Sequence, residues 1–217
     1  KVLADPVVAR AQMDVLTNWP VEITRAITTK HAGGQRGAVL AAYDKALQRL
    51  EADATLSRAD RMGALLGRIE LARMDTRDDA KSVKLPPALA RDVREHVARD
   101  DREITDGYER QAVITTAAWA LEQAGLMEDS DALLKANLAK SHSPYYLMSA
   151  LASNAKARGD KTLALRWYEE AYRTSQGPAT RLQWGASYVN ALIELSPQDT
   201  ARIERAVAGL ATGMIGV

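Results

Sequence analysis

The sequence predicts an all-α fold of antiparallel helical hairpins stacked into a right-handed array. Three observations predict it. Leu and Ala dominate a hydrophobic content of 47%, and Phe is absent, as suits helices that pack closely on one another. Apolar residues recur at spacings of three and four through most of the chain, which is helical periodicity. Gly125 and Gly159 are 34 residues apart, as are Ser143-Pro144 and Gly177-Pro178, so one pattern occurs twice in register.

Length and charge set the outer bounds. The 217 residues are enough for one elongated domain or two small ones. Lys+Arg 29 against Asp+Glu 28 leaves a net charge of +1, with no electrostatic footprint for nucleic acid or an anionic membrane. No apolar run approaches the roughly 20 residues that span a bilayer. Cys is absent, which excludes disulfides, Cys nucleophiles, thiolate-bound zinc and CxxC redox chemistry within these residues. The chain opens at Lys1 without a signal-peptide pattern, so a mature form or an excised fragment is expected.

Residues 1–105 read as N-terminal helical hairpins and 106–217 as tetratricopeptide-like repeats, together one continuous helical domain. Asp5-Pro6 is an N-cap followed by Pro at the first helical position. Val7, Val8, Ala11, Val15 and Leu16 form one apolar stripe, interrupted by Asn18-Trp19-Pro20, after which Ile23 and Ile27 share a face. His31 to Gly37 is a connector. It is rich in Gly but lacks the spacing of a phosphate-binding loop. Leu40, Tyr43, Leu47 and Leu50 then lie on one helical face. Ser57 and Asp60 make a capping box ahead of Met62, Leu65, Leu66, Ile69 and Arg73. These two helices form a hairpin.

Asp75 to Leu85 reads as a charged linker containing Asp78-Asp79. Pro86-Pro87 opens a helix whose seam is Leu89, Val93 and Val97. Its other face carries Asp92, His96 and Asp100 at i, i+4 and i+8, a spacing that aligns three potential metal ligands. The Arg and Glu residues around them favour a solvated face over a metal site. Asp100 to Gly107 breaks the pattern.

A helix–turn–helix unit with a period of about 34 residues is tetratricopeptide-like. In the first unit Ile114, Ala117, Ala118 and Leu121 face the packing, Gly125 turns the chain, and Ala132, Leu133, Leu134 and Ala136 populate the second helix. The second unit has Met148, Leu151, Ala152 and Ala155, then the Gly159-Asp160 turn, then Ala164, Tyr168 and Ala171. The third is less faithful. Leu182, Ala186 and Val189 sit on the expected face, Gly185 replaces a large residue, and Leu195-Ser196-Pro197 ends the helix. Ile203, Val207 and Leu210 carry the last helix, and Ala211 to Val217 reads as a frayed tail.

First helices of such an array line its inner surface. The inward positions are Ala112, Thr115, Trp119, Glu122, Tyr146, Ser149, Ser153, Lys156, Thr180, Gln183, Ser187 and Asn190. Small polar groups with two rings suit a peptide segment. The competing reading makes Trp119 and Tyr146 structural rings. No catalytic constellation, cofactor motif or metal motif is present. His31 and His142 lie far apart, no GxSxG occurs, and Ser141-His142-Ser143-Pro144 reads as a junction between repeats.

Three segments, Tyr108 to Ile114, Ser141 to Tyr146 and Gly177 to Gly185, are similar to the C-terminal helical part of bacterial thioredoxin-family proteins of the thiol:disulfide interchange or disulfide-isomerase-like kind. The resemblance covers Tyr108 to Ile203. It implies a helical extension behind a thioredoxin domain, in the periplasm or cell envelope. Without Cys, no catalytic residue of that family carries over. The expected function is therefore a non-catalytic module that binds a protein or peptide, the thioredoxin domain of its own parent included. A structural or oligomerisation scaffold is the alternative. A metal-dependent enzyme using Asp92, His96 and Asp100 is the remote one.

Overall fold

The computed structural model describes residues 1–28, 35–76 and 85–215. Among the described residues the chain is all-α, without strands. The helices are α1 (Pro6–Ala11), α2 (Met13–Asn18), α3 (Pro20–Thr28), α4 (Gln35–Ala52), α5 (Arg58–Arg73), α6 (Pro87–Glu103), α7 (Gly107–Gln123), α8 (Met127–Asn137), α9 (Pro144–Ala157), α10 (Lys161–Thr174), α11 (Pro178–Leu195) and α12 (Thr200–Ile215). Sequential neighbours pack in pairs, α4 on α5, α9 on α10 and α11 on α12. The chain divides into two compact units, Lys1–Ile104 with Trp119–Met127, and Thr105–Ala118 with Glu128–Val217.

In the first unit the local start signals act as read. The Asp5 carboxylate accepts from the Val7 and Val8 amides at 3.0 and 3.2 Å. Ser57 and Asp60 form the reciprocal capping box, which satisfies two amides that a helix N-terminus leaves open. The core gathers Ala9, Leu16, Tyr43, Leu47, Leu50, Ala64 and Leu71. The Tyr43 hydroxyl donates to the Leu16 carbonyl at 3.1 Å, so the largest buried ring keeps its polar tip paired. Burial, helped by Glu22, pushes that phenol far above its usual pKa.

The single stripe expected over the first sixteen residues does not form. Gln12 ends α1, the helix axis restarts in α2, and only Ala9 and Leu16 are buried while Val7, Val8 and Val15 stay exposed. Ile27 is exposed too, and Thr24 is the buried residue of α3 together with Pro20. Within the expected connector from His31 to Gly37, residues 31–34 lie outside the described residues and Gln35 to Gly37 start α4. Residues 77–84 of the expected linker, Asp78-Asp79 among them, also lie outside.

Two turns share one construction. Gly125 and Gly159 have φ of 75° and 80°. Behind each, the glycine amide bonds three residues back and the next amide five residues back: Gly125 to Glu122 at 2.9 Å and Leu126 to Leu121 at 2.8 Å, then Gly159 to Lys156 and Asp160 to Ala155, both 2.9 Å. This is the Schellman ending, which glycine enters without a Cβ clash. Asp160 then caps α10 by accepting from the Leu163 amide at 2.9 Å.

In the second unit Leu147, Leu151, Ala152 and Ala155 of α9 pack with Ala164, Leu165 and Ala171 of α10 in the buried interior. Ala132 and Ala136 of α8 are exposed, so Leu133 and Leu134 alone carry its apolar face. The face expected for α11 is also displaced. Leu182 is exposed, Ala186 and Val189 are half-buried with Val189 packed against the core, and Trp184, Gly185, Tyr188, Ala191 and Leu192 are the buried residues. Gly185 sets this register. A Cβ there would collide with Leu210 and come within 2.9 Å of Tyr172. α12 continues to Ile215, so most of the expected frayed tail is helix.

Candidate functional site

The second unit brings six of the nine predicted groove residues into one face. Tyr146 at the start of α9 meets Trp184 of α11 edge-on, with ring centroids 5.0 Å apart. Near the other end of both helices, Lys156 Nζ lies 2.6 Å from Glu194 Oε2. Each pair is separated by 38 residues, so α9 and α11 run parallel and side by side. Ser149 and Ser153 of α9 and Asn190 of α11 lie between these two contacts, and Gln183 comes just before Trp184 on α11.

The chemistry along that face is uncharged apart from the Lys156–Glu194 pair. Ser153 Oγ is 3.4 Å from the Tyr168 hydroxyl. Ser187 turns back on its own helix and donates to the Gln183 carbonyl at 3.0 Å. The Gln183 and Asn190 amides are exposed, each offering a donor and an acceptor. Hydrogen bonding to Glu194 outweighs desolvation at Lys156 and raises its pKa.

Trp184 was not singled out from sequence as a groove residue. It is 7% exposed, and its Nε1 lacks a hydrogen-bond partner among the described residues. Tyr145 and Tyr146 flank it, at 5.7 and 5.0 Å between centroids. The signal available in sequence was its 38-residue offset from Tyr146, which needs the parallel helix register to be read.

The other three predicted groove residues lie on α7. Thr115 belongs to the second unit, but its hydroxyl donates to the Gln111 carbonyl at 2.9 Å. Trp119 and Glu122 belong to the first unit. Trp119 is exposed, and Glu122 has its pKa raised by burial, opposed by Arg73. In that unit a polar cleft of about 460 Å³ is lined by Glu22, Arg25, Glu70, Arg73 and Gln123, among others. Burial, with the Glu22 charge added, raises the Glu70 pKa.

The solvated face expected for α6 is overturned. His96 and Asp100 are buried, at 1% and 0% exposure. They follow Val93 and Val97 by three residues, which puts them inside the apolar seam and not opposite it. Around them α4, α5 and α6 contribute a dense charge cluster. Arg68, 5% exposed, reaches Asp44 at 2.9 Å, Glu51 at 2.7 Å and Asp92 at 3.0 Å. His96 Nδ1 lies 3.1 Å from Glu51 Oε1. His96 Nε2 lies 3.3 Å from Asp100 Oδ2, an ion-pair contact outside hydrogen-bond geometry. Arg58 and Arg99 approach Asp100 Oδ1 at 3.9 Å.

Burial alone would raise the Glu51 pKa, but the hydrogen bonds from His96 and Arg68 outweigh it and hold the carboxyl below its usual range. Arg68 behaves in the mirror sense, with burial opposing its charge and Asp44 and Glu51 restoring it. Asp92 is thereby committed to Arg68, and His96 to two carboxylates. Among the described residues no group of three or more His, Asp or Glu side chains is arranged to hold a metal, and no helix is long and apolar enough to cross a membrane.

Comparison of the chain with protein-family models, with curated proteins and with solved structures found no match.

Proposed function

We propose that the chain is a non-catalytic helical module whose parallel α9–α11 face holds an extended peptide segment of a partner protein. The observation that carries this reading is the pairing of exposed Tyr146 with the buried, unpartnered Trp184 indole N–H at the head of that face. A buried donor left unpaired costs about 1–3 kcal/mol, and a peptide carbonyl reaching it removes that cost. Beyond it, the exposed Gln183 and Asn190 amides can pair with a peptide backbone, while the Tyr146 ring offers an apolar anchor.

The hairpin units with their matching glycine turns support a tetratricopeptide-like array as the architecture behind the face. The resemblance of residues 108–203 to thioredoxin-family extensions supports a place as the C-terminal arm of a thiol:disulfide protein of the bacterial envelope. The thioredoxin domain of the parent is then the partner to try first. The scaffold alternative draws on the Lys156–Glu194 pair, which closes one end of the face without a ligand.

The test is selection of a random twelve-residue peptide library on the immobilised chain, followed by titration of an enriched peptide. Binding should weaken at least tenfold in Tyr146→Ala and in Asn190→Ala, with the unfolding midpoint of Asn190→Ala unchanged. Failure to enrich any sequence, or variants that bind as tightly as the unmodified chain, would sink the reading.

A further inference from the structure

Both nitrogens of the His96 ring face carboxylates. Nδ1 is 3.1 Å from Glu51 Oε1, on α4, and Nε2 is 3.3 Å from Asp100 Oδ2, one turn along α6. A neutral imidazole has one N–H and one lone pair. In that form one nitrogen would aim its lone pair at an anionic oxygen, in a site where the ring is 1% and Asp100 0% exposed. The imidazolium alone has a proton for each side.

We propose that His96 is a buried imidazolium cross-link between α4 and α6, and that loss of one ring proton as pH rises is a built-in switch that loosens α6 within the first unit.

The surrounding charges make the ring's proton necessary. Glu51 and Asp100 face the ring directly. Arg68, from α5, occupies the other Glu51 oxygen and also holds Asp44 of α4 and Asp92 of α6. Arg58 of α5 and Arg99 of α6 stand off Asp100 Oδ1 at 3.9 Å, and Arg58 also reaches the half-exposed Glu103 at 3.5 Å. Asp44, Glu51, Asp92, Asp100 and Glu103 thus meet three guanidinium groups, and the imidazolium is the cation set between Glu51 and Asp100. Its loss leaves the fully buried Asp100 carboxylate with only the two distant guanidinium groups among the described residues, which is costly.

The direction of titration agrees with the geometry. Burial opposes the ring's charge, but the Asp100 and Glu51 interactions together outweigh it and raise the His96 pKa above its ordinary value of about 6.5. A raised folded value means the contribution is complete below about pH 6.5 and is lost as pH rises through the folded value. Glu51 has the opposite sign. Its lowered value means that its contribution is present above the usual Glu range and is lost as pH falls through the folded value. The cluster is therefore released in both directions of pH, by falling pH through Glu51 and by rising pH through His96.

The experiment is ring ¹⁵N NMR of the full chain from pH 6 to 10, with amide hydrogen exchange at each pH. His96 is assigned by through-bond correlation and checked by loss of its signals in His96→Gln. At pH 7 both ring nitrogens should be protonated. As one proton leaves, amides of α6 should lose at least tenfold in protection beyond the intrinsic pH effect, while α9 and α10 keep theirs. Glu51→Gln should move the ring titration to lower pH. A singly protonated ring at pH 7 overturns the proposal, as does α6 protection that ignores the ring's titration. Both readings come from the unmodified chain, so they stand even where His96→Gln does not fold.

Discussion

Arg68 in the first unit and Asn154 in the second hold comparable positions. Each is buried, at 5% and 2% exposure, and each reaches side chains on a neighbouring helix. Arg68 ties α5 to α4 and α6 through three carboxylates. Asn154 ties α9 to α8 through the Ser130 hydroxyl at 3.0 Å and Asp131 at 2.9 Å. Ser130 continues the chain of bonds by donating to the Ala118 carbonyl at 2.9 Å. Of the other buried polar groups, His96 and Asp100 in the first unit are ionisable and Asn137 and Ser175 in the second are neutral, while Thr24 is a neutral group in the first. The first unit joins helices with buried charge and the second mainly with neutral groups. Buried charge pairs gain from low dielectric and lose heavily when one partner goes, whereas amide and hydroxyl links are weaker and indifferent to pH.

That contrast can be broken most directly at Arg68. Arg68→Met keeps an unbranched stem and removes the cation, leaving Asp44, Glu51 and Asp92 without it. The expected loss is about 3–5 kcal/mol, measured by urea denaturation near pH 7. The matching change in the second unit, Asn154→Ala, leaves the Ser130 hydroxyl and Asp131 short of a donor and should cost about 1–3 kcal/mol. If the two losses come out equal, the distinction between the units fails. The smallest effect is a control. Ser57→Ala removes the capping box of α5 and Asp160→Ala the cap of α10. Each should cost about 1 kcal/mol, because a cap is local chemistry that does not depend on which kind of polar link lies beneath it. A large difference between the two caps would show that the units differ in more than their buried groups.

The same division between local and distant chemistry explains what could be read from sequence. Caps at Asp5 and Ser57 were legible because donor and acceptor lie within three residues of each other. The apolar faces of α4, α5 and α6 were legible from spacing. The burial of His96 was not, because its partner Glu51 lies 45 residues away and a charged residue reads as solvated until its counter-charge is located. The spacing did hold a clue, since Leu89, Val93, His96 and Asp100 follow one continuous helical stripe. The α11 face was misread for another reason. Its register depends on a tight helix approach at Gly185, and a missing side chain leaves no periodic mark. Of the candidate groove, the α9 and α11 members follow from the 34-residue period. Trp119 and Glu122 were assigned by the same rule but fall in the other unit.

Gly185 has a consequence for how the chain tolerates change. It sits mid-helix, where glycine is disfavoured by about 1 kcal/mol relative to Ala, so local propensity would welcome nearly any replacement. The space beside it is already taken by Leu210 and Tyr172. In a saturation scan the position should therefore rank with the buried leucines for intolerance, and second-site changes that restore it should map to Leu210, where a smaller side chain would make room.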